Sequence, residues 1–440
     1  MKRVLFLAYL FPPIANSGTQ RPLKFAKYLS RYGWEPTVIT AERFDDHHVD
    51  SRLLDEVAPG QRIVRVPRLD QRIGDAIAAV TFNSRLGTRL SEALIWRLRD
   101  RFQTPDLYAP WKLTASRAAL KLFREEGFDA IYATGFPWTT LLIGRDISKA
   151  TGRPLIADFR DPWAADELWR SGRVSPQQEL ALERTVVAQA SAVVSVSGTL
   201  TQMLREAHRE IDQTKFITVT NGFDPPDLVT PTPKPANKFR IVYTGVWKEG
   251  YNPSRLYDAL EGILRSSPQV LRNTEVIMAG FDAGEAVRRG LGAHVTEVGR
   301  LSHQDAVALM YSADLLFFAT ADGCYQRLAL PGKMYEYLAT GRPVLAVAHP
   351  EGDVAGLLGR VGNGMVIPSS DSQMLEEVLR RACVAGKLEV PPLDREALSS
   401  FERPNLARKL AAVLDAVHSG APVPQDAAWP SLQTSVVGSA

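Results

Sequence analysis

The sequence predicts an α/β protein made of two open, parallel-sheet, Rossmann-like domains. Three observations carry that reading. Short apolar, β-rich runs recur along the whole chain. Helix-like segments lie between most of them, the alternation of a parallel sheet with crossover helices. One proline-rich stretch, residues 224–238, interrupts the alternation once. At 440 residues the chain has room for two or three domains of ~150 residues.

In the first half the predicted strands are 4–10, 37–40, 62–66, 130–134, 155–159, 192–196 and 216–220. In the second half they are 240–244, 275–279, 295–298, 314–319, 344–348 and 365–368. Many are continuously apolar rather than alternating, as parallel strands covered on both faces must be. The first of them follows Met1, Lys2 and Arg3 and imitates a secretion signal. Pro12 and Pro13 interrupt it and no small-residue cleavage site follows, so a buried first strand explains the same residues better. The predicted helices are 22–31, 114–126, 176–190, 254–264, 304–311, 333–340 and 373–384.

The stretch 224–238 holds five prolines and little to bury, so it reads as a semi-rigid linker. The expected organisation is a first domain over 1–224, a linker over 225–238 and a second domain over 239–403. A helix over 404–418 could cross back to the first domain, and 419–440, rich in Pro, Ala, Ser and Gly, reads as a disordered tail.

Composition excludes several classes. Apolar residues make up 45 % and charged residues 23 %, close to a soluble globular average, which excludes collagen-like and mostly disordered chains. A net charge of +3 is not that of a strongly basic nucleic-acid binder. No apolar run reaches the ~18–20 residues of a membrane helix. Two cysteines, Cys324 and Cys383, give no disulfide framework and no Cys-based zinc site, a usage that fits a reducing cytoplasm. Residues 62–101 hold nine arginines against four acids, with apolar residues interleaved. Two readings stand: a basic amphipathic element on an anionic membrane, or a helical insertion packed on its own domain with its arginines in solvent.

Chemistry is suggested in two places. After the first strand, residues 11–21 read Phe-Pro-Pro-Ile-Ala-Asn-Ser-Gly-Thr-Gln-Arg and lead into a helix. Gly18 permits close backbone approach, and Ser17 or Thr19 can cap the helix. A helix start suits a phosphate or diphosphate, although an ordinary strand-to-helix turn has the same residues. The loop is neither a P-loop nor a Gly-x-Gly-x-x-Gly fingerprint. The second place is Leu330-Pro-Gly-Lys-Met-Tyr-Glu-Tyr-Leu-Ala-Thr-Gly-Arg-Pro-Val-Leu-Ala346. Pro331 and Gly332 precede a two-turn helix, and Lys333 and Glu336 share one face near its start. A lysine there opposes the helix dipole and points to an anionic ligand. A carboxylate there can accept two ribose hydroxyls. A surface Lys–Glu pair is the plain alternative.

These residues carry a resemblance. The 331–344 stretch resembles the C-terminal nucleotide-sugar motif of family 4 (GT-B) retaining glycosyltransferases, and the 11–21 loop resembles their N-terminal loop. Asp158-Phe-Arg-Asp-Pro-Trp163, Asn221-Gly-Phe-Asp224 and Gly299-Arg-Leu-Ser-His303 resemble further blocks of the bacterial surface-polysaccharide subgroup. The matches run in order from residue 4 to about 415. The resemblance implies two Rossmann-like domains facing across a cleft, a nucleoside diphosphate sugar as donor, an acceptor on the first domain, and transfer with retention and without metal or other cofactor. It implies that Glu336 binds the ribose, that Lys333 and Gly332 lie by the diphosphate, and that Gly18 and Thr19 approach the phosphates or donor sugar. Gly245 and Lys248 would join the donor site. Two positions depart from the family pattern. Leu328 stands where a second glutamate is usual, and Val246 stands where an arginine is usual. Arg255 and Arg300 are the candidates to supply the missing charge.

Asp158, Arg160 and Asp161 end an apolar strand, where open α/β sheets place ligands. Asp158 or Asp161 could orient an acceptor hydroxyl and Arg160 could bind a phosphate. A buried Asp–Arg cluster is the competing reading. Trp138 could stack on a sugar or merely wall its loop, and Ser17 is a further acceptor-side candidate. The Asp45-Asp-His-His-Val-Asp50 cluster imitates a metal site, but adjacent histidines suit a solvated loop better. No Asp-x-Asp appears. The expected function is therefore a cytoplasm-facing glycosyltransferase of polysaccharide or lipid-linked glycan synthesis, with no nucleic-acid partner and a membrane contact if 62–101 is peripheral. The rivals are a small-molecule glycosyltransferase of the same fold, a degenerate GT-B binding protein, and a sugar-nucleotide epimerase.

Overall fold

The computed structural model describes residues 1–43, 47–71, 73, 104–164, 175–225, 230–245, 253–280, 284–320, 327–328 and 330–425. The described strands are β1 (Lys2–Leu7), β2 (Trp34–Ala41), β3 (Ile63–Val66), β4 (Ala130–Gly135), β5 (Leu155–Phe159), β6 (Ala192–Ser195) and β7 (Phe216–Thr218), then β8 (Phe239–Thr244), β9 (Thr274–Ala279), β10 (Val295–Glu297), β11 (Leu315–Ala319), β12 (Val344–Val347) and β13 (Gly364–Ile367). The helices are α1 (Gln20–Leu29), α2 (Trp111–Glu126), α3 (Trp138–Thr151), α4 (Pro176–Gln189), α5 (Gly198–Ala207), α6 (Ser254–Ser266), α7 (Glu285–Arg288), α8 (His303–Tyr311), α9 (Gly332–Ala339), α10 (Asp353–Val361), α11 (Ser372–Ala385), α12 (Arg395–Ser399) and α13 (Arg403–Ser419).

The chain forms two compact units, Met1–Thr220 with Arg403–Asp426, and Asn221–Glu402. In the first, seven strands lie in the order β3-β2-β1-β4-β5-β6-β7, with every neighbouring pair parallel. The strand order reverses between β1 and β4, so the crevice for a ligand lies beyond their carboxyl ends. β1 and β4 are buried because both sheet faces are covered: Val4 to Leu7 and Ala130 to Ala133 have no exposed surface. One of the covering helices comes from the far end of the sequence. Leu406, Ala407, Leu410, Ala411, Val413 and Leu414 of α13 join the cluster of Val4, Phe6, Phe25 and Trp34. Asp415 accepts a hydrogen bond from Trp34 Nε1 at 2.9 Å and pairs with Lys2. Beyond α13, Val423 packs on the same cluster and the Gln425 amide donates to the Thr214 carbonyl. The expected disordered tail is thus fastened at its start, and its remainder, from 426, lies outside the described residues.

The second unit has six parallel strands in the order β10-β9-β8-β11-β12-β13. Its switch point lies between β8 and β11. Two apolar layers cover the sheet, one through Leu256, Leu260 and Leu379, the other through Leu309, Tyr335, Leu338 and Leu357. The expected linker is partly built into this unit: Thr232 N donates to the Ala308 carbonyl at 3.1 Å, and Arg240 donates to the carbonyls of Thr232 and Pro233. Proline removes backbone donors but leaves carbonyls for a buried arginine to use. Residues 226–229 lie outside the described residues.

Of the arginine-rich region, 72 and 74–101 lie outside the described residues. Three arginines before it serve the first unit itself. Arg62 pairs with Glu126 at 2.6 Å, Arg65 donates to the Pro12 carbonyl at 2.6 Å, and buried Arg68 meets Asp70 at 3.2 Å. No helix among the described residues is long and apolar enough to cross a membrane.

Candidate functional site

In the second unit the candidate residues converge at the switch point. Pro331 holds an extended backbone and has no side chain able to cap, so α9 opens at Gly332 with its first turn uncapped by a side chain. Met334, Tyr335, Tyr337 and Leu338 bury one face of α9. That leaves Lys333 and Glu336, one turn apart, on the other. The Tyr337 hydroxyl accepts from the Thr244 amide at 2.8 Å, which ties α9 to the carboxyl end of β8. Lys333 Nζ donates to the Thr244 carbonyl at 2.8 Å. It lies 4.4 Å from the ring centroid of Tyr243 on β8 and 5.3 Å from that of Phe318 on β11. Burial among these groups lowers its pKa to about 7, although Glu336 acts in the opposite direction.

Gly245 makes the lysine's position available. Its φ is +154°, and a Cβ there would lie 2.6 Å from Lys333 Nζ and 2.9 Å from the Tyr243 hydroxyl. Gly332 is different, since a Cβ there would meet nothing within 4 Å. Glu336 Oε1 is 3.0 Å from Nε2 of His303, the first residue of α8. Ser302 caps α8 by accepting from the Asp305 amide at 3.1 Å. Arg300, just before that cap, is exposed. Arg255 donates to the Ser369 carbonyl. Arg327, beside Leu328, pairs with Glu351 at 2.7 Å. Val246 and Lys248 lie outside the described residues.

The first unit answers the question left open at Asp158. Its carboxylate is fully buried at the end of β5. Arg21 Nε and Nη2 reach it at 2.9 and 2.7 Å, Thr134 Oγ1 at 2.8 Å and the Tyr132 hydroxyl at 2.5 Å. The remaining Arg21 nitrogen donates to the Thr220 carbonyl at 2.7 Å. Burial and the Asp158 charge push the Tyr132 phenol well up, so it stays a donor. Asp158 is therefore not the group that orients an acceptor. Its charge is consumed in anchoring α1 to β4 and β5.

Arg160 is likewise not placed to bind a phosphate. Its guanidinium donates to the carbonyls of Gly135, at 2.6 Å, Gly18 and Phe136. It thereby clamps the 11–19 loop onto β4, and a Cβ at Gly18 would intrude on that guanidinium. Thr19 does not cap α1, because its own backbone is already helical at φ −78°, ψ −36°. Asn16 fixes the loop instead, accepting from the Gly18 amide at 2.9 Å. Trp138 is not open to a sugar either: it is buried and stacks on Trp163 with centroids 5.4 Å apart and planes 3° apart. Ser17 and Asp161 are the exposed members of the proposed acceptor set, and Gly18 is half-buried. His47, from the histidine pair, stacks on Tyr108 at 6.0 Å. Among the described residues no three His, Cys, Asp or Glu side chains are grouped to hold a metal ion.

Sequence reasoning did not single out Tyr243, Phe318 or the Thr244 carbonyl. They read as buried strand residues, and only the sheet order brings β8 and β11 together beneath Lys333. His303 stands out in the sequence only as the end of the 299–303 block.

Two doubly wound parallel sheets define a protein of the GT-B fold. The family models agree. "Glycosyl transferase 4-like domain" matches residues 18–222, and "Glycosyl transferases group 1" matches residues 238–383. The chain belongs to the family 4, GT-B glycosyltransferases. No curated protein matches its sequence. Among solved structures it is similar to trehalose 6-phosphate synthase from Burkholderia multivorans, with a TM-score of 0.60 and 11 % identity over 96 % of this chain and 100 % of that one. It is similar to HepE from Anabaena in complex with UDP and glucose, with a TM-score of 0.56 and 16 % identity over 96 % and 98 %. Sucrose-phosphate synthase from Thermosynechococcus elongatus gives a TM-score of 0.56 and 13 % identity over 96 % and 97 %.

Proposed function

We propose that this glycosyltransferase takes its sugar from a nucleoside diphosphate sugar held on the second unit and passes it, with retention and without a metal ion, to an acceptor hydroxyl. The observation that carries the proposal is the pairing of Lys333 with Glu336 at the start of α9, beside the β8/β11 switch point. Glu336 accepts the ribose hydroxyls. Lys333 leaves the Thr244 carbonyl for the diphosphate, and the first turn of α9 adds backbone N–H groups and the positive end of a dipole. Gly245 keeps the end of β8 open to the phosphates. HepE, solved with UDP and glucose, offers a precedent on the same fold.

The donor is already activated, so the leaving diphosphate needs charge stabilisation more than the reaction needs a protein nucleophile. The acceptor oxygen bonds to the anomeric carbon as the bond from that carbon to the phosphate oxygen breaks. The electron pair leaves with the diphosphate, and a phosphate oxygen on the same face takes the acceptor proton. Ser17 and Asp161 of the first unit are the groups we assign to the acceptor side. The acceptor we favour is a bacterial polysaccharide or lipid-linked glycan precursor, on the resemblance of the 158–163, 221–224 and 299–303 blocks.

The test is nucleoside diphosphate release from a panel of UDP-, GDP- and ADP-sugars, in EDTA, with candidate glycan acceptors. We expect turnover with one base series, a product of unchanged anomeric configuration by NMR, and loss of most turnover in Lys333→Ala. Turnover that requires a divalent metal, or an inverted product, would overturn those parts of the reading.

A further inference from the structure

We propose that His303 is a positioning residue for the donor: it holds the Glu336 carboxylate in the orientation that accepts the ribose hydroxyls. The inference rests on the ribose role assigned to Glu336 above. His303 Nε2 and Glu336 Oε1 are 3.0 Å apart, and the two residues come from different helices, α8 and α9. Both backbones are fixed. Ser302 caps the start of α8, and the Ser302 hydroxyl donates to the Asp305 carboxylate at 2.5 Å. On α9 the flanking Tyr335 and Tyr337 are fully buried. The Glu336 side chain has three rotatable bonds, and the imidazole contact restricts them. A carboxylate has about four lone-pair sites, so accepting from an imidazole leaves capacity for hydroxyls.

The contact has little to offer stability. The His303 side chain is 53 % exposed, and exposed ion pairs contribute little to folding. Pre-ordering a ligand-binding side chain is different, because the ordering cost is then not met on binding. An imidazole at this position therefore serves recognition of the ribose rather than the fold.

The experiment is calorimetric titration of the full chain with UDP, ADP and GDP, each beside its 2′-deoxy counterpart. The variants are His303→Ala, His303→Gln and Glu336→Ala, with unfolding midpoints recorded for each. For the base that binds, we expect His303→Ala to weaken the ribonucleotide about three- to tenfold and the deoxynucleotide less than about twofold. His303→Gln, whose amide can still donate to Glu336, should recover most of the discrimination. Glu336→Ala should erase it. Discrimination unchanged in His303→Ala but erased in Glu336→Ala overturns the role of His303 and leaves the ribose site standing. An equal loss for both nucleotides in His303→Ala also overturns it. If Glu336→Ala keeps the discrimination, or if no nucleotide binds the folded protein, the ribose reading itself is wrong and this inference goes with it.

Discussion

Lys333 is an amine held where its cation is poorly solvated. Its pKa of about 7 follows from burial against Tyr243 and Phe318. An arriving diphosphate supplies the missing counter-charge and should raise that pKa. At about pH 8 a phosphoryl group with a second pKa near 6 is already deprotonated, so any proton taken up on binding goes to the protein. We expect calorimetry in buffers of different ionisation enthalpy to detect that uptake, and Lys333→Met to abolish it. Affinity should fall as pH rises above about 7. The same residue affects stability with a definite sign. Its folded pKa lies below its ordinary value of 10.5, so between those values the unfolded chain binds more protons. Its contribution to stability therefore rises with pH across that window, and Lys333→Met should flatten this rise in the ligand-free protein. Asp158 is a residue of the opposite kind, with all its chemistry spent inside. Asp158→Ala leaves Arg21 buried without its counter-charge and should cost about 3–5 kcal/mol of stability, seen as a lower Tm. A variant that keeps wild-type stability and loses only turnover would contradict that assignment.

At the scale of elements, Gly245 is where β8 yields to Lys333. Gly245→Ala places a methyl group 2.6 Å from Nζ at a φ of +154° that L side chains rarely adopt, so it should displace the lysine, weaken nucleotide binding and lower Tm. α13 is a structural part of the first unit although it is the last helix of the chain. Leu410 has no exposed surface there, so Leu410→Ala should cost about 2–5 kcal/mol. The strands were legible in the sequence because two-sided burial writes them as apolar runs. Every predicted strand, from 4–10 to 365–368, coincides with one of β1 to β13. The helices were less legible. α3 was missed because Trp138 to Gly144 are all buried, leaving no amphipathic stripe, and because Thr139, Thr140 and Ile143 are weak helix formers. α5 begins with a glycine after Ser197, which reads as a turn, and α10 carries two internal glycines.

Across the whole molecule, the sequence carried the order of elements and the motif at α9, but not which strands are neighbours. Lys333 and Glu336 stood out by their spacing, but that spacing also suits a surface pair, and their roles rest on the resemblance of the 331–344 stretch. That Lys333 reaches the end of β8, or that Asp158 meets Arg21 rather than Arg160, depends on sheet order and on contacts 89 and 137 residues apart in sequence. The same distance explains the corrections at Arg160 and Trp138, whose partners are carbonyls and rings from other loops. Charged and aromatic residues at strand ends have one appearance in sequence, whether they meet a substrate or fasten the loops around it.

The measurement that bears most directly on the donor site is thermal unfolding of wild type and Glu336→Ala with nucleoside diphosphates in EDTA. A ligand that binds only the folded protein raises Tm by mass action. We expect one base series to raise the wild-type Tm in EDTA and to leave a well-folded Glu336→Ala protein almost unmoved. No rise with any nucleotide in the wild type, or an equal rise in both proteins, would contradict the placement of the donor at α9.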